Sequence, residues 1–172
     1  MSWTTAHPPE ETIALLRERA IPCVRGNHDR WAIEAHAPLP NLSAAALAFL
    51  RALPTTWCAT IAGVRVVVAH ARPGDDMAGI VSTTPRWELE KIMAAADTDL
   101  LVVGHTHTPF IRRLHPHARF VVNPGALLRT APEVPVAMPG TFALLEFGAA
   151  GLAAIEIRRA LTGEIAMQYR MA

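Results

Sequence analysis

Helical and strand-like patterns alternate along the first half of the sequence. Residues 9–19 (PEETIALLRER) begin with proline and two acidic residues, carry apolar side chains on one side and end in basic residues, as helices do. Residues 21–25 (IPCVR) predict a short strand, and β-branched residues make 64–70 (VRVVVAH) a stronger one. A predicted helix over 85–96 separates that strand from the buried strand at 99–107. The alternation predicts an α/β fold.

The later part of the chain changes character. Residues 118–126, 141–147 and 152–160 have the pattern of short strands separated by glycine and proline turns, which favours antiparallel pairing. A further helix is predicted earlier, at 42–53, where a serine cap opens an apolar run. No repeat or low-complexity linker interrupts the sequence, so residues 1–172 are interpreted as one domain.

Composition narrows the classes of partner. Sixteen basic and fifteen acidic residues give a formal charge of +1, and no basic run of the kind that follows a phosphate backbone is present. Sequence-specific nucleic acid is therefore not an expected partner. Neither a membrane span nor the pattern of a secretory leader is visible, and the two cysteines, Cys23 and Cys58, do not form a disulfide framework. We expect no membrane partner and a cytoplasmic location.

Three of the predicted strands end in polar side chains that can bind metals. The first ends at Asn27 and His28, the second at His70, and the third at His105 and His107. In open α/β sheets, ligands bind beyond the carboxyl ends of the strands, so these residues are expected to converge on one crevice. The two histidines of the third strand are two positions apart, which in an extended chain places both side chains on the same side.

These side chains favour one kind of chemistry. Imidazoles combined with a carboxamide oxygen suit Zn, Mn or Fe better than Ca or Mg, which prefer shells made only of oxygen. Two such ions about 3.5–4 Å apart can clamp a phosphoryl group and activate water at neutral pH. The pattern therefore indicates a metal-dependent reaction on a phosphate ester.

Four motifs together resemble the calcineurin-like metallophosphoesterase family. They are GNHD at 26–29, the strand-terminal His70, GHTH at 104–107 and NPGA at 123–126, in the family's order. The Asp that closes GNHD resembles the bacterial phosphodiesterase-like branch. The resemblance implies a four-layer α-β-β-α sandwich with a two-metal centre, and hydrolysis of phosphodiesters or phosphomonoesters.

The resemblance also implies a role for each matching residue. Asn27, His70 and His105 would bind one divalent transition metal ion, and His107 would bind the other, with Mn, Zn or Fe as the ions. His28 would face the substrate and protonate or stabilise the leaving oxygen, and Asp29 would orient it. From the residues alone, Asp29 has a second interpretation, as a local cap or a partner of a neighbouring arginine.

The chain departs from the family pattern at its beginning. The DxH and GDxxD motifs that precede GNHD in the family are not found there, and GDD at 74–76 comes after His70, in the wrong order. We therefore expect a domain that lacks its first strands and helix, either because its start is placed too late in a longer reading frame or because the protein is truly this short. In the chain as given we expect an impaired reaction. Neutral ligands alone do not offset the charge of two adjacent cations, which predicts weak metal binding.

Two function classes stay open at this stage. The first is an enzyme acting on a small phosphate ester. The second is a non-catalytic scaffold or binding protein with the same fold, similar in kind to the retromer subunit that keeps the fold without phosphatase activity. The sequence does not predict the oligomeric state.

Several other polar residues are expected in surface turns and loops. His115 and His117 flank a proline and are expected in a solvated turn. Asp75 and Asp76 follow His70 in a loop, where they either stay solvated or touch substrate.

Overall fold

A computed structural model describes residues 9–34, 42–116, 118–127 and 140–171. Four helices and eight strands occur in those residues. The helices are α1 (Pro9–Glu18), α2 (Asn27–Ile33), α3 (Ala44–Ala52) and α4 (Arg86–Ala95). The strands are β1 (Thr56–Ile61), β2 (Val64–Ala69), β3 (Leu100–Val103), β4 (Phe110–Leu114), β5 (Arg119–Asn123), β6 (Thr141–Gly148), β7 (Gly151–Arg159) and β8 (Ile165–Arg170).

The strands form two sheets. The larger sheet has the order β1-β2-β3-β5-β4, in which β2, β3 and β5 run parallel while β1 and β4 are antiparallel edges. The smaller sheet, β6-β7-β8, is antiparallel throughout. Because β2 and β3 are parallel neighbours, their carboxyl ends lie side by side at one edge of the larger sheet.

Alternation along the central strands explains the layers. Odd and even positions of a strand face opposite sides, and both faces of this sheet are buried. On one face, Val67 and Leu101 pack with Leu89 and Met93 of α4. On the other face, a second apolar cluster reaches the smaller sheet; it includes Val66, Leu100, Phe120, Val122 and Ile155. The described residues thus stack a helix, a sheet and a second sheet, and the predicted α/β fold is confirmed.

The helices before the larger sheet form their own small cluster. Ile13 of α1 packs with Ala46 and Leu50 of α3, and each is buried. The predicted cap of α3 is confirmed, because the Ser43 hydroxyl accepts a hydrogen bond from the Ala46 N–H at 3.1 Å. This cluster supports α2, which carries the first of the polar residues singled out above.

Local predictions at residues 21–25 and at β5 differ from the structure, and β1 and β4 were not among the predicted strands. Residues 21–25 do not form a strand: the described residues offer them no neighbouring strand, and the Arg25 N–H donates instead to the Pro54 carbonyl at 2.7 Å. The strand β5 was expected to pair antiparallel only, yet it also lies parallel to β3. In both cases long-range pairing, which local pattern does not encode, decides the outcome. No helix among the described residues is long and apolar enough to cross a membrane.

Candidate functional site

Three polar side chains meet at the carboxyl end of the larger sheet. Asn27 is the first residue of α2, His70 follows β2, and His105 lies in the loop after β3. The Nε2 atom of His70 is 2.8 Å from Oδ1 of Asn27 and 3.2 Å from Nδ1 of His105. The convergence predicted from the three strand ends is therefore present for these residues.

These separations fit a shared metal ion. Ligand atoms at about 2.0–2.2 Å from an ion lie about 3 Å from one another, which is the spacing of His70 Nε2 from each of the other two donor atoms. Two imidazole nitrogens and one carboxamide oxygen suit a transition metal. No group of three or more His, Cys, Asp or Glu side chains able to hold an ion occurs in the described ranges, because the third donor here is the amide of Asn27.

The GHTH segment is a turn and not an extended strand end. His105 and His107 both have positive φ angles, 63° and 56°, in the left-handed region that side chains other than glycine rarely occupy. The expectation that both side chains share a side because the chain is extended is therefore wrong. The turn is anchored to the end of β2, since the Gly104 N–H donates to the His70 carbonyl at 2.9 Å. His107 still lies near enough to act on the charge of His70.

Asn123 holds this turn in place. Its side chain is fully buried, and its amide donates to the Gly104 carbonyl at 2.9 Å and to the Thr106 hydroxyl at 3.0 Å. Its carbonyl oxygen accepts the Gly125 N–H at 2.9 Å, which shapes the NPGA turn. Sequence reasoning recognised this motif without assigning a role to the asparagine. A polar residue at the end of a buried strand was the available signal.

The second polar residue of α2 lies beside the three donors. The ring of His28 packs against Trp31, with centroids 4.9 Å apart, and burial lowers the pKa of His28 below its ordinary value. Asp29 accepts a hydrogen bond from the Gly26 N–H at 2.8 Å, and burial raises the pKa of its carboxyl group. This contact is the local cap that the sequence left open; the orienting role of Asp29 toward His28 stays a prediction.

Gly26 allows the start of α2 to approach His70. A Cβ atom at this position would lie 2.6 Å from Nδ1 of His70 and 2.8 Å from its Cγ and Cε1 atoms. The backbone of Gly26 is hydrogen-bonded to Asp29 and Arg30, and the His70 ring is hydrogen-bonded to Asn27. Movement of either the backbone or the ring would break one of these bonds. Glycine is needed here for space, since its φ of −106° is open to any residue.

We expect Gly26→Ala to destabilise the fold by about 2–3 kcal/mol, as overpacking of a filled site does, and to displace the His70 ring. Urea unfolding measures the first effect, and the histidine resonances in NMR report the second. Gly148→Ala is the matched control, because a Cβ atom there meets only Ala153 at 4.0 Å. Equal stability of the two variants would contradict the steric role of Gly26.

The charge state of His70 makes stability depend on pH. Burial, followed by the nearby His105, lowers the pKa of His70 to about 4. In the unfolded chain the His70 imidazole is protonated near pH 6.5, whereas in the folded protein it is protonated only near pH 4. The contribution of His70 to the free energy of unfolding is therefore fully present above pH 6.5 and is lost as the pH falls from 6.5 to 4.

We expect the metal-free protein to lose about 1 kcal/mol of unfolding free energy through this group between pH 7 and pH 5, a value reduced for partial exposure of the ring. Urea unfolding in the presence of a chelator measures the loss. It should be absent from His70→Gln and retained in His115→Gln, which changes an exposed ring. The same pH slope in all three proteins would rule out His70 as the source.

The other residues singled out from the sequence are two loop aspartates and two histidines. Asp75 and Asp76 lie in the loop after β2, where Asp75 accepts backbone N–H groups of Met77 and Ala78. His115 is exposed in a turn, as expected. His117 falls outside the described residues.

Comparison with known proteins places the chain among phosphoesterases. A family model described as the calcineurin-like phosphoesterase superfamily domain matches residues 6–149. The structure resembles a metallophosphoesterase from Sphaerobacter thermophilus, with a TM-score of 0.62, 22% identity, and coverage of 88% of this chain and 71% of that one. No curated protein matches the sequence.

Vacuolar sorting proteins share the fold. Vacuolar protein sorting 29 from Cryptosporidium parvum has a TM-score of 0.59 and 15% identity, with 94% of this chain and 77% of that chain covered. Vps29 from Entamoeba histolytica, complexed with Zn²⁺, has a TM-score of 0.50 and 22% identity. That alignment covers 70% of this chain and spans 61% of the Entamoeba protein.

Proposed function

Because the chain belongs to the calcineurin-like phosphoesterase superfamily, we propose that it is a metal-dependent hydrolase of phosphate esters. The observation that carries the proposal is the convergence of Asn27, His70 and His105 on one point, at the spacing of ligands to a common ion. Two half-buried imidazoles this close to each other and to a buried amide have little structural purpose, because imidazoles that face each other repel when charged.

The proposed roles follow from where the side chains lie. Asn27, His70 and His105 would hold one divalent ion, Mn, Zn or Fe, and His107 would contribute to a second. When bound, the ions would polarise the phosphoryl oxygens and activate the attacking water. His28, next to the first donor on α2, would give a proton to the leaving oxygen. The negative charge of a bound phosphate would raise the pKa that burial lowers in this ring.

The substrate is proposed to be a small phosphodiester or phosphomonoester in the cytoplasm. The nearly balanced charge of the chain supports a small substrate over a nucleic acid read by sequence or a membrane surface. We propose Asp29 as the residue that positions His28 indirectly, through its hold on the first turn of α2.

Hydrolysis of bis-p-nitrophenyl phosphate and p-nitrophenyl phosphate tests the proposal. Purified protein should show no turnover with a chelator, and slow turnover, as expected for an impaired site, should return with Mn²⁺, Zn²⁺ or Fe²⁺. The same assay on His70→Ala controls for a contaminating phosphatase, and His115→Ala controls for substitution of a histidine in general. Absence of turnover with every ion, in protein shown to bind metal, would overturn the enzymatic proposal.

A scaffold function is the second candidate, and one observation favours it. The three converging donors are all neutral, and the carboxylate of Asp76, which acts on His70, is engaged by Arg30. A site without a bound negative charge holds a divalent ion less firmly. Metal binding without hydrolysis would support the scaffold, whereas metal-dependent turnover would exclude a purely structural role.

A further inference from the structure

The loop after His70, residues 72–79 (RPGDDMAG), is braced internally. The Arg72 N–H donates to the Ala78 carbonyl at 3.0 Å and closes the loop at its base. Within it, Oδ1 of Asp75 accepts the N–H groups of Met77 at 2.9 Å and Ala78 at 3.1 Å. A compact loop whose ends and interior are both hydrogen-bonded keeps its attachment points at a fixed separation.

The loop 72–79 is attached to the site on two sides. At its end, a Cβ atom on Gly79 would lie 2.8 Å from Cγ2 of Thr106 and 3.3 Å from Cδ2 of His105, so the loop packs directly against the GHTH turn. At its middle, the Asp76 carboxylate meets the Arg30 guanidinium of α2. The loop therefore connects the helix that carries Asn27 with the turn that carries His105.

The contact between Arg30 and Asp76 has the geometry of a strong ion pair. Nε of Arg30 donates to Oδ2 at 2.7 Å and Nη2 donates to Oδ1 at 3.0 Å, so two parallel bonds fix the relative orientation of the groups. The two side chains are 34% and 24% exposed, which limits screening by solvent. Arg30 also lies 3.4 Å from Glu34, one turn further along α2.

We propose that Arg30 and Asp76 are positioning residues, whose ion pair clamps α2 to the loop 72–79 and thereby holds the donor atoms of Asn27, His70 and His105 at metal-binding distance. Arg30 is three positions after Asn27, so a clamp at Arg30 restrains the first turn of α2. His70 lies two positions before the loop, and His105 packs against its end. The pair thus acts on all three donors through backbone and packing, without touching the ion.

The ion pair also keeps Asp76 ionised. The Asp76 carboxylate lies near enough to interact electrostatically with both His70 and His105, and Arg30 lowers the pKa of that carboxyl group. Because the pair as a whole is neutral, its effect on the donors comes from position and not from added net charge. Only the metal-binding part of this inference rests on the proposed function; the clamp itself is a property of the metal-free fold.

The test uses Arg30→Gln, Asp76→Asn and the double variant. Hydrogen exchange of the α2 amides in metal-free protein measures the clamp, and titration with Co²⁺, followed by its visible absorption spectrum, measures affinity and coordination geometry. We expect each single variant to exchange faster in α2 and to bind Co²⁺ about 10-fold more weakly, as changes behind the metal ligands do. The double variant should lose no more than either single one, because one interaction is removed in all three.

The exposed pair of Arg86 and Glu90 on α4 provides the control, since Arg86→Gln removes an arginine–carboxylate pair within one helix, together with the bond from Arg86 to the His115 carbonyl, away from the donors. That variant should change neither readout. Unchanged exchange in α2 after Arg30→Gln, or losses that add in the double variant, would overturn the clamp. If wild-type protein binds Co²⁺ and shows the clamp but hydrolyses nothing, the enzymatic proposal fails while this inference stands.

Discussion

Replacing His70 with alanine is expected to abolish metal-dependent hydrolysis and to weaken metal binding by more than the about 10–100-fold cost of losing a residue behind the ligands. The reason is geometric. His70 is the central donor, because its Nε2 atom contacts both Asn27 and His105. Calorimetric titration with Zn²⁺ or Mn²⁺ measures the affinity, and turnover of bis-p-nitrophenyl phosphate measures the reaction.

His115→Ala serves as the control for His70→Ala, since it removes an exposed imidazole in a turn. Stability needs a separate check, because removal of a partly buried ring also leaves space. His70→Asn retains a donor and fills more of that space, so it should fold like the wild type and recover part of the affinity. Wild-type metal affinity in His70→Ala would refute the assignment of these donors.

Replacing His28 with glutamine is expected to lower kcat by about 100-fold or more while metal affinity stays close to that of the wild type. Glutamine keeps a polar side chain of similar reach but cannot deliver a proton at neutral pH. The two measurements distinguish the roles, because replacing a metal ligand would lower both kcat and metal affinity, whereas replacing a proton donor would lower kcat alone. Turnover of an ester of a simple alcohol in saturating metal, and metal titration in the absence of substrate, measure them independently.

The leaving group provides a sharper control for His28. p-Nitrophenolate is a leaving group that needs no proton. The kcat for a p-nitrophenyl ester should therefore fall less in His28→Gln than the kcat for an ester of a simple alcohol. Equal losses for both kinds of ester would mean that His28 does not protonate the leaving oxygen. A parallel loss of metal affinity would assign it to the ligand set instead.

The placement of the candidate donors was largely predictable. Strand β2 ends just before His70 and strand β3 just before the GHTH turn, and parallel pairing brings those ends together. The resemblance of the motifs to calcineurin-like phosphoesterases was confirmed by the family model over residues 6–149. Apolar runs of β-branched residues mark strands locally, which is why sequence pattern alone located them.

The precise shape of the site was not predictable in the same way. An extended strand end was expected at 99–107, whereas positive φ angles at His105 and His107 turn the chain there. The helix α2 begins at Asn27, although the polar GNHD motif has no helical pattern of apolar residues. Gly26 owes its importance to the ring of His70, a residue far along the chain.

The sequence by itself determined the strands β2 and β3 with the helix α4 between them, the cap of α3 and the polar residues that follow those two strands, because each depends on neighbours within a few positions. Only the tertiary structure decided that residues 21–25 stay unpaired, that Asn123 anchors the GHTH turn, and that Arg30 meets Asp76. These outcomes depend on pairing and packing between segments distant in the chain, where local preference is overridden by the contacts that the whole fold makes available.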